Sequence, residues 1–328
     1  MTQNLTRRMF GTASAATALA LSVRDAQAQS KIVLRYGNAG NAQTLSNTFN
    51  TKMFNEISAK TNGLVSANIF AGTLGGEQKL LESMALGSLD VYNGAYTGTR
   101  EFDVLYSPYF FKDSAQAGRV MAGKLGDKAS EVLEKRYHAR LLGTGRLGSY
   151  NLMLKEPIKS FADLKGRKIR TAAIEGCIEG VKFFGGNPTP IPFDQIYLAL
   201  QQGIVDGVLT ALNPGVSGKF YEVCKYVVEN DFGVALDKEV ISSTAWNRLN
   251  PEQRTIVQSS FTTLEVPDYY QVGLSQKSTD VAAWAKANGP DSIIRLDGAK
   301  LYEDLIPLNK RLADDVFGPG SWDLVSKA

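Results

Sequence analysis

One arginine and a few carboxylates carry the chemistry that this chain offers. Arg170 stands near the end of Lys168-Ile169-Arg170-Thr171, a short run delivered by the polar turn Asp163-Leu164-Lys165-Gly166 and read as a strand giving way to a loop. A guanidinium placed there presents two parallel N–H donors to a carboxylate, a planar match that lysine cannot make. Judged on its neighbours alone, Arg170 pairs at the surface with Glu175 or Asp206. In a cleft without a fixed protein carboxylate it would instead select an anionic ligand. Catalytic sets do not assemble. A hydrolase needs a nucleophile beside a base, yet Gly-x-Ser-x-Gly is absent, and His138, the only histidine, lies between Arg136 and Arg140, the setting of a solvated residue. Glu175 and Glu179, four apart on one predicted helix, form the best acid–base pair, although carboxylates on one helix face are ordinarily solvated. Redox and zinc chemistry want Cys-x-x-Cys or a ligand cluster, whereas Cys177 and Cys224 are isolated. Both cysteines fall on apolar faces of predicted helices, where buried free thiols are common, with a disulfide the alternative in an oxidising compartment.

The elements that must position Arg170 are legible between Ser160 and Thr210. Ile174, Cys177, Ile178, Val181 and Phe184 recur at helical spacing, and Gly185-Gly186-Asn187-Pro188 stops that helix. A second apolar stretch follows from Thr189 to Phe193. Asp194 reads as the N-cap of a helix carrying Ile196, Leu198, Ala199 and Leu200 to Gly203, and Val205 to Thr210 is a further strand and loop. The order strand, helix, strand, helix, strand belongs to an open α/β sheet, and such sheets bind ligands where strand ends meet loops.

Elsewhere, Lys31–Tyr36 and Leu64–Phe70 read as strands flanking a helix from about 45 to 61, with Asn62-Gly63 as the turn. Gly72-Thr73-Leu74-Gly75-Gly76-Glu77 opens a helix, in a spacing that matches neither a dinucleotide fingerprint nor a P-loop. Leu89–Tyr96 is a strand and loop, 114–137 a helix, Arg140–Thr144 a strand, 218–228 an amphipathic helix and Glu239–Trp246 a strand. Asn250-Pro251-Glu252-Gln253 starts a helix with a capping box. The pattern then runs to about Ala287, interrupted at Pro267, where it either bends or divides.

The runs Asp163-Leu-Lys-Gly-Arg-Lys-Ile-Arg170 and Gly185-Gly-Asn-Pro-Thr-Pro-Ile-Pro-Phe-Asp-Gln-Ile-Tyr-Leu-Ala-Leu-Gln-Gln-Gly-Ile-Val-Asp-Gly207 resemble the signature of the DctP-type solute-binding proteins of tripartite ATP-independent periplasmic (TRAP) transporters. The likeness is dense over about fifty residues and continues more weakly through Ala71–Gly76 and Leu86–Asp90. It implies a two-lobe α/β fold with a ligand cleft between the lobes and a long C-terminal helix that crosses both and bends on closure. The implied boundaries are 31–147 plus 236–275 for the first lobe and 148–235 plus 276–328 for the second. It implies Arg170 as the carboxylate receptor, Phe193 as an aromatic against the ligand, Thr210 and Tyr96 as contacts, and the turn ending in Glu77 as one wall of the cleft. Family members place an arginine shortly before the Pro157–Ser160 segment. That position falls near Ser149 or Tyr150, so Arg146 is displaced by a few residues. Thr210 stands where many members have asparagine in a Gly-Gln-Glu-Asn run, and Gly207-Val208-Leu209-Thr210 lacks those polar side chains, which points to a less polar acid such as a keto, aromatic or branched carboxylate. The implied partner is a membrane permease driven by an ion gradient, with a ligand sensor of the same fold as the alternative. No cofactor and no enzymatic activity are implied.

The N-terminus carries Arg7-Arg8 ahead of an apolar run from Ala13 to Val23 and small residues at Ala26-Gln27-Ala28, the pattern of a twin-arginine export signal spanning 1–28. That run is too short for a membrane span, and no later stretch approaches about 20 apolar residues. The expectation is a soluble, periplasmic, monomeric mature chain of 300 residues carrying 33 basic and 32 acidic side chains. Such a balance argues against a nucleic-acid or membrane-surface partner.

Overall fold

The computed structural model describes residues 30–95, 99–264 and 270–328, without the side chains of 146–147, 262–264 and 270–274. The export segment, Tyr96 and Pro267 lie outside the described residues, and so does the side chain of Arg146. Alternating apolar positions give strand β1 (Ile32–Asn38), and the chain then passes through α1 (Leu45–Lys60) to β2 (Val65–Ala71). The turn between α1 and β2 uses Asn62 and Gly63 in left-handed conformations, φ 51° and 76°, as that residue pair favours. α2 (Glu77–Ala85), β3 (Val91–Gly94), α3 (Arg100–Asp103), α4 (Ser114–Met121) and α5 (Lys124–Tyr137) follow. The helix expected over 114–137 is thus two, because Gly123 takes an extended conformation and starts the second.

Strand β4 (Ala139–Leu154) leads to β5 (Lys168–Thr171), α6 (Glu175–Phe183), β6 (Asn187–Pro190), α7 (Ile196–Gln201), β7 (Gly207–Ala211) and α8 (Leu212–Ser217). Asp194 is not an N-cap: it lies inside a 3₁₀ turn, Phe193–Gln195, that Pro192 starts early. Nor is 218–228 a helix. Lys219 turns left-handed at φ 57°, one 3₁₀ turn forms at Phe220–Glu222, and Tyr226–Val228 becomes β8, since its valines pair with neighbouring strands. β9 (Val234–Ser242) begins and ends earlier than expected, because the Ser242 hydroxyl accepts from the Ala245 N–H at 3.1 Å and starts α9 (Ser243–Arg248). α10 (Pro251–Leu264) has the anticipated capping box, with Gln253 N donating to Asn250 Oδ1 at 2.8 Å and Asn250 N to Gln253 Oε1 at 3.0 Å. α11 (Tyr270–Asn288), β10 (Ile293–Ile294), α12 (Leu301–Phe317) and α13 (Trp322–Ser326) complete the chain.

The strands lie in the order β2-β1-β3-β9-β4-β7-β5-β6, with β8 beside β4 and β10 beside β8. Parallel pairs β1–β2, β1–β3, β5–β6 and β5–β7 flank the antiparallel centre β3–β9–β4–β7. β4 is the shared strand: its first part pairs with β9 as far as Ser149, and Tyr150–Leu154 pair with β7. The change of partner falls at a bulge between Arg146 and Ser149, where Gly148 holds φ 102° with open space around a would-be Cβ, so the backbone conformation and not crowding requires glycine. The two lobes are built on the two halves of this sheet. Leu34, Phe54, Ile57 and Phe261 are buried in the first, and Ile196, Leu200, Val208 and Trp284 in the second.

Asp90 ties β1 to the α9 segment. Its buried carboxylate accepts from Arg35 Nε at 2.9 Å, Arg35 NH2 at 3.0 Å and Arg248 NH2 at 2.7 Å. Burial alone would push this carboxyl up, but the hydrogen bonds from Arg35 and the charge of Arg248 hold it below its ordinary value. A depressed folded-state value stabilises the fold above the unfolded carboxyl pKa of about 3.9 and loses that contribution as pH falls through the folded value. Asp90→Asn should therefore cost about 2 kcal/mol at neutral pH and flatten the acid limb of the stability curve, read by urea unfolding at a series of pH values.

Candidate functional site

The carboxyl ends of the parallel strands converge on a cavity between the two half-sheets, of about 700 Å³ counted to its open mouth. The first half supplies Asn38 at the end of β1, Ser46 on α1, Glu77 on α2, Ala95 after β3 and Asp237 on β9. The second supplies Tyr150 on β4, Arg170 on β5, Cys177 on α6, Phe193 and Thr210 on β7. The halves touch on both sides of the cavity. Asn41 Nδ2 donates to Ser217 O at 2.7 Å and Leu45 N to Asn213 Oδ1 at 2.9 Å, while Gly76 lies against Pro192 and Asp194.

Arg170 is 3% exposed, and its Nε donates to Ile191 O at 2.8 Å, which fixes the guanidinium plane. Among the described residues no carboxylate stands within ion-pair distance of it. The local candidates are taken: Glu175 is held by Arg100 through two bonds of 2.6 and 2.9 Å, and Asp206 Oδ2 accepts the Lys168 N–H at 2.8 Å. Burial lowers the pKa of Arg170, and the charges of Glu77 and Asp194 partly offset this. A guanidinium nevertheless stays protonated in proteins, so a buried positive charge faces the cavity. It stands without the ionic partner that such a group ordinarily requires.

Thr210 is 6% exposed, in register with Asn151 of β4. Phe193 is half-buried, its ring 6.0 Å from Phe220 at an interplanar angle of 43°. Glu77 is half-buried in the first turn of α2 and lines both the cavity and the groove that opens from it. Of the expected residues, Arg170, Phe193, Thr210 and Glu77 therefore meet at one cavity. Tyr96 lies outside the described residues, next to Ala95, whose carbonyl accepts from Lys238 Nζ at 2.6 Å. For Arg146 only the backbone is described: it pairs with Leu236, itself a lining residue.

Sequence reasoning missed Asn38, Ser46, Tyr150 and Asp237. Asn38 Nδ2 donates to Asn93 Oδ1 at 2.6 Å and to Asn93 O at 3.0 Å, and Ser46 Oγ donates to Asp237 Oδ2 at 3.1 Å. Asn50 Nδ2 donates to Glu239 Oε1 at 2.8 Å. Asp237-Lys238-Glu239 are three charged residues in a row within an apolar strand, all buried. That row was the available signal. Burial pushes the Asp237 carboxyl up to about 7 against the donors Ser46 and Asn93, and pushes Lys238 down to about 7 against nearby Asp103.

Both cysteines are free and buried, and burial raises each thiol to about 12. Cys177 is on a helix as expected, whereas Cys224 follows the 3₁₀ turn. His138 is exposed and ends α5 in a left-handed conformation, φ 48°. Among the described residues no group of three His, Cys, Asp or Glu side chains is placed to hold a metal ion, and no helix is long and apolar enough to cross a membrane.

Comparison with known proteins places this cavity in context. The chain is 29% identical over 284 residues to the 2,3-diketo-L-gulonate-binding periplasmic protein of Escherichia coli (strain K12), covering 83% of this chain and 84% of the relative. It is 26% identical over 295 residues to a solute-binding protein of Roseobacter denitrificans, covering 87% and 88%. The fold matches the crystal structure of a TRAP periplasmic solute-binding protein from Polaromonas sp. JS666 bound to D-erythronate, with a TM-score of 0.82, 22% identity and coverage of 90% and 98%. It also matches the L-galactonate-bound protein from Roseobacter denitrificans, with a TM-score of 0.79, 23% identity and coverage of 91% and 98%. The model of the bacterial extracellular solute-binding proteins, family 7, aligns with residues 37–291, and with the two-lobe fold and the converging strand ends it establishes that this chain belongs to that family.

Proposed function

We propose that this chain captures a small hydroxylated organic acid by closing its lobes, and delivers it to a TRAP membrane permease. The observation that carries the reading is Arg170, buried at the cavity with no described carboxylate within ion-pair distance. An incoming carboxylate supplies the missing charge, and closure strengthens the pair by excluding water. Arg170 receives the carboxylate, Phe193 packs on the ligand, and Thr210 and Glu77 contact its polar groups. The less polar acid expected from Gly207–Thr210 gives way to a hydroxylated one, because Asn38, Ser46, Glu77, Thr210 and Asp237 line one cavity. The relatives named for diketogulonate, galactonate and erythronate support the same class.

The reading includes export through the twin-arginine signal at 1–28, a periplasmic monomer, and lobes of 31–147 plus 236–275 and 148–235 plus 276–328. It excludes catalysis. The best acid–base candidates are engaged in ion pairs, Glu175 with Arg100 and Glu179 with Lys182 and Arg311.

A thermal-shift panel of L-galactonate, D-galacturonate, D-erythronate and 2,3-diketo-L-gulonate beside aromatic and branched keto acids tests the proposal. A bound sugar acid at a hundredfold excess over its Kd should add about 2.7 kcal/mol, or about 5 °C in Tm, and be recovered unchanged. Stabilisation by the aromatic and branched keto acids alone would reassign the ligand class, and no shift with any acid of the panel would end the capture reading.

A further inference from the structure

The polar side-chain atoms that bond to no described residue at the cavity fall into two sets of opposite kind. On the second half of the sheet they are donors. Arg170 spends only its Nε on the protein, in the bond to Ile191 O, so both terminal nitrogens of the guanidinium are left for an incoming group. The hydroxyls of Tyr150 and Thr210 line the same cavity, and neither bonds to a described residue. The rest of Tyr150 is fixed. Its N–H donates to Gly233 O and its carbonyl accepts from Phe232 N, each at 3.0 Å, and its ring packs edge-on against Tyr106 at 5.8 Å. Desolvation raises the Tyr150 hydroxyl well above its ordinary value, so it remains an O–H donor at neutral pH. On the first half stands an acceptor. Glu77, half-buried at the start of α2, makes no hydrogen bond or ion pair with a described residue, and after burial its charge is the strongest influence on Arg170. An ionised carboxylate can only accept. A ligand group that meets it must bring an O–H, because a second ligand carboxylate would set like charge against like charge.

We propose that this division decides which acids are captured: the Tyr150 hydroxyl joins Arg170 in holding the ligand carboxylate, Glu77 accepts a ligand hydroxyl, and the site takes hydroxy acids with one carboxylate while rejecting those with two. The inference rests on the reading that Arg170 receives an anion, and adds what the other half of the cavity requires of that anion. A phenol beside the guanidinium adds a hydrogen bond without adding charge. The donors of the second half therefore match a single carboxylate, and Glu77 makes a second one costly rather than merely unrewarded.

Two pairs of probes isolate the second charge. L-galactonate and galactarate differ only in a terminal CH2OH replaced by a carboxylate, and so do D-erythronate and meso-tartrate. Calorimetry of the mature chain at neutral pH should show the monocarboxylate preferred by roughly thirtyfold or more. Glu77→Gln keeps the shape and removes the charge, so the preference should shrink to within about threefold, chiefly because the dicarboxylate gains. Tyr150→Phe keeps the ring on Tyr106 and loses only the hydroxyl. It should weaken the monocarboxylate by about tenfold while the melting temperature of the ligand-free chain stays unchanged, a pattern that a purely structural tyrosine would not give. Equal binding within either pair by the wild type, or a preference that survives intact in Glu77→Gln, would overturn the charge selection and leave the capture reading standing. Wild-type affinity in Tyr150→Phe would remove that hydroxyl from the site. Binding of none of the four acids would end the proposed function, and this inference with it.

Discussion

Arg170→Ala is expected to weaken capture of the acid by about 2–5 kcal/mol, or roughly thirty to several thousand fold, in calorimetry at neutral pH. The size follows from position. The guanidinium is 3% exposed, its plane is set by the bond to Ile191 O, and closure leaves the ligand carboxylate little other cationic help within the described cavity. The ligand-free protein should respond in the opposite sense. Removing a charge buried without an ionic partner relieves a desolvation cost, so the apo melting temperature should hold or rise. A structural role predicts the reverse pattern, with a lowered melting temperature and intact affinity, and finding it would remove Arg170 from the site. Arg170→Lys separates charge from shape: it keeps the former, loses the bidentate fork, and should recover only part of the affinity.

Gly176→Ala is expected to disturb the fold strongly. α6 lies so close to the segment before Tyr109 that a Cβ on Gly176 would come within 2.3 Å of Ser107 N and 2.7 Å of Asp103 O, and one on Gly180 within 2.2 Å of Pro108 Cδ. Two backbones in contact cannot adapt as a side chain does, so α6 must shift. Overpacking of this kind costs about 3 kcal/mol, a drop in Tm of about 5 °C for a chain of this size. Because β5 and Arg170 immediately precede α6, affinity should fall with stability in the same variant. A melt within 1 °C of the wild type would show that the contact yields more easily than its geometry implies.

The strand that carries Arg170 was legible because a polar turn, a short strand and a loop lie within eleven residues, but its neighbours alone read it as a surface residue paired with Glu175 or Asp206, and only the family resemblance put it in a cleft. The strands of the parallel pairs and the capping box at Asn250 are local in the same sense. Asp237 was missed although the row Asp237-Lys238-Glu239 stood in the sequence as a signal, since the donors Ser46 and Asn93 are remote in the chain and nothing local shows that such a row is buried. The same limit hid the shared role of β4, whose two sets of neighbours are set by the bulge at Gly148 and by strands more than fifty residues downstream. Tyr226–Val228 was misread because its apolar positions fit a helix face as well as a strand, and pairing with β4 and β10 decides between them.

The bond from Leu45 N to Asn213 has a bearing on timing. Thr44 provides no side-chain acceptor to the start of α1, and the buried Leu45 N–H there is served across the gap by the opposite lobe. Asn213 is in turn steadied by Asp280 of α11 at 3.4 Å. Part of the grip that keeps the jaws together is thus made of protein alone and is the same whether or not cargo is inside. Under the proposed function, its strength sets how often the lobes come together with nothing between them.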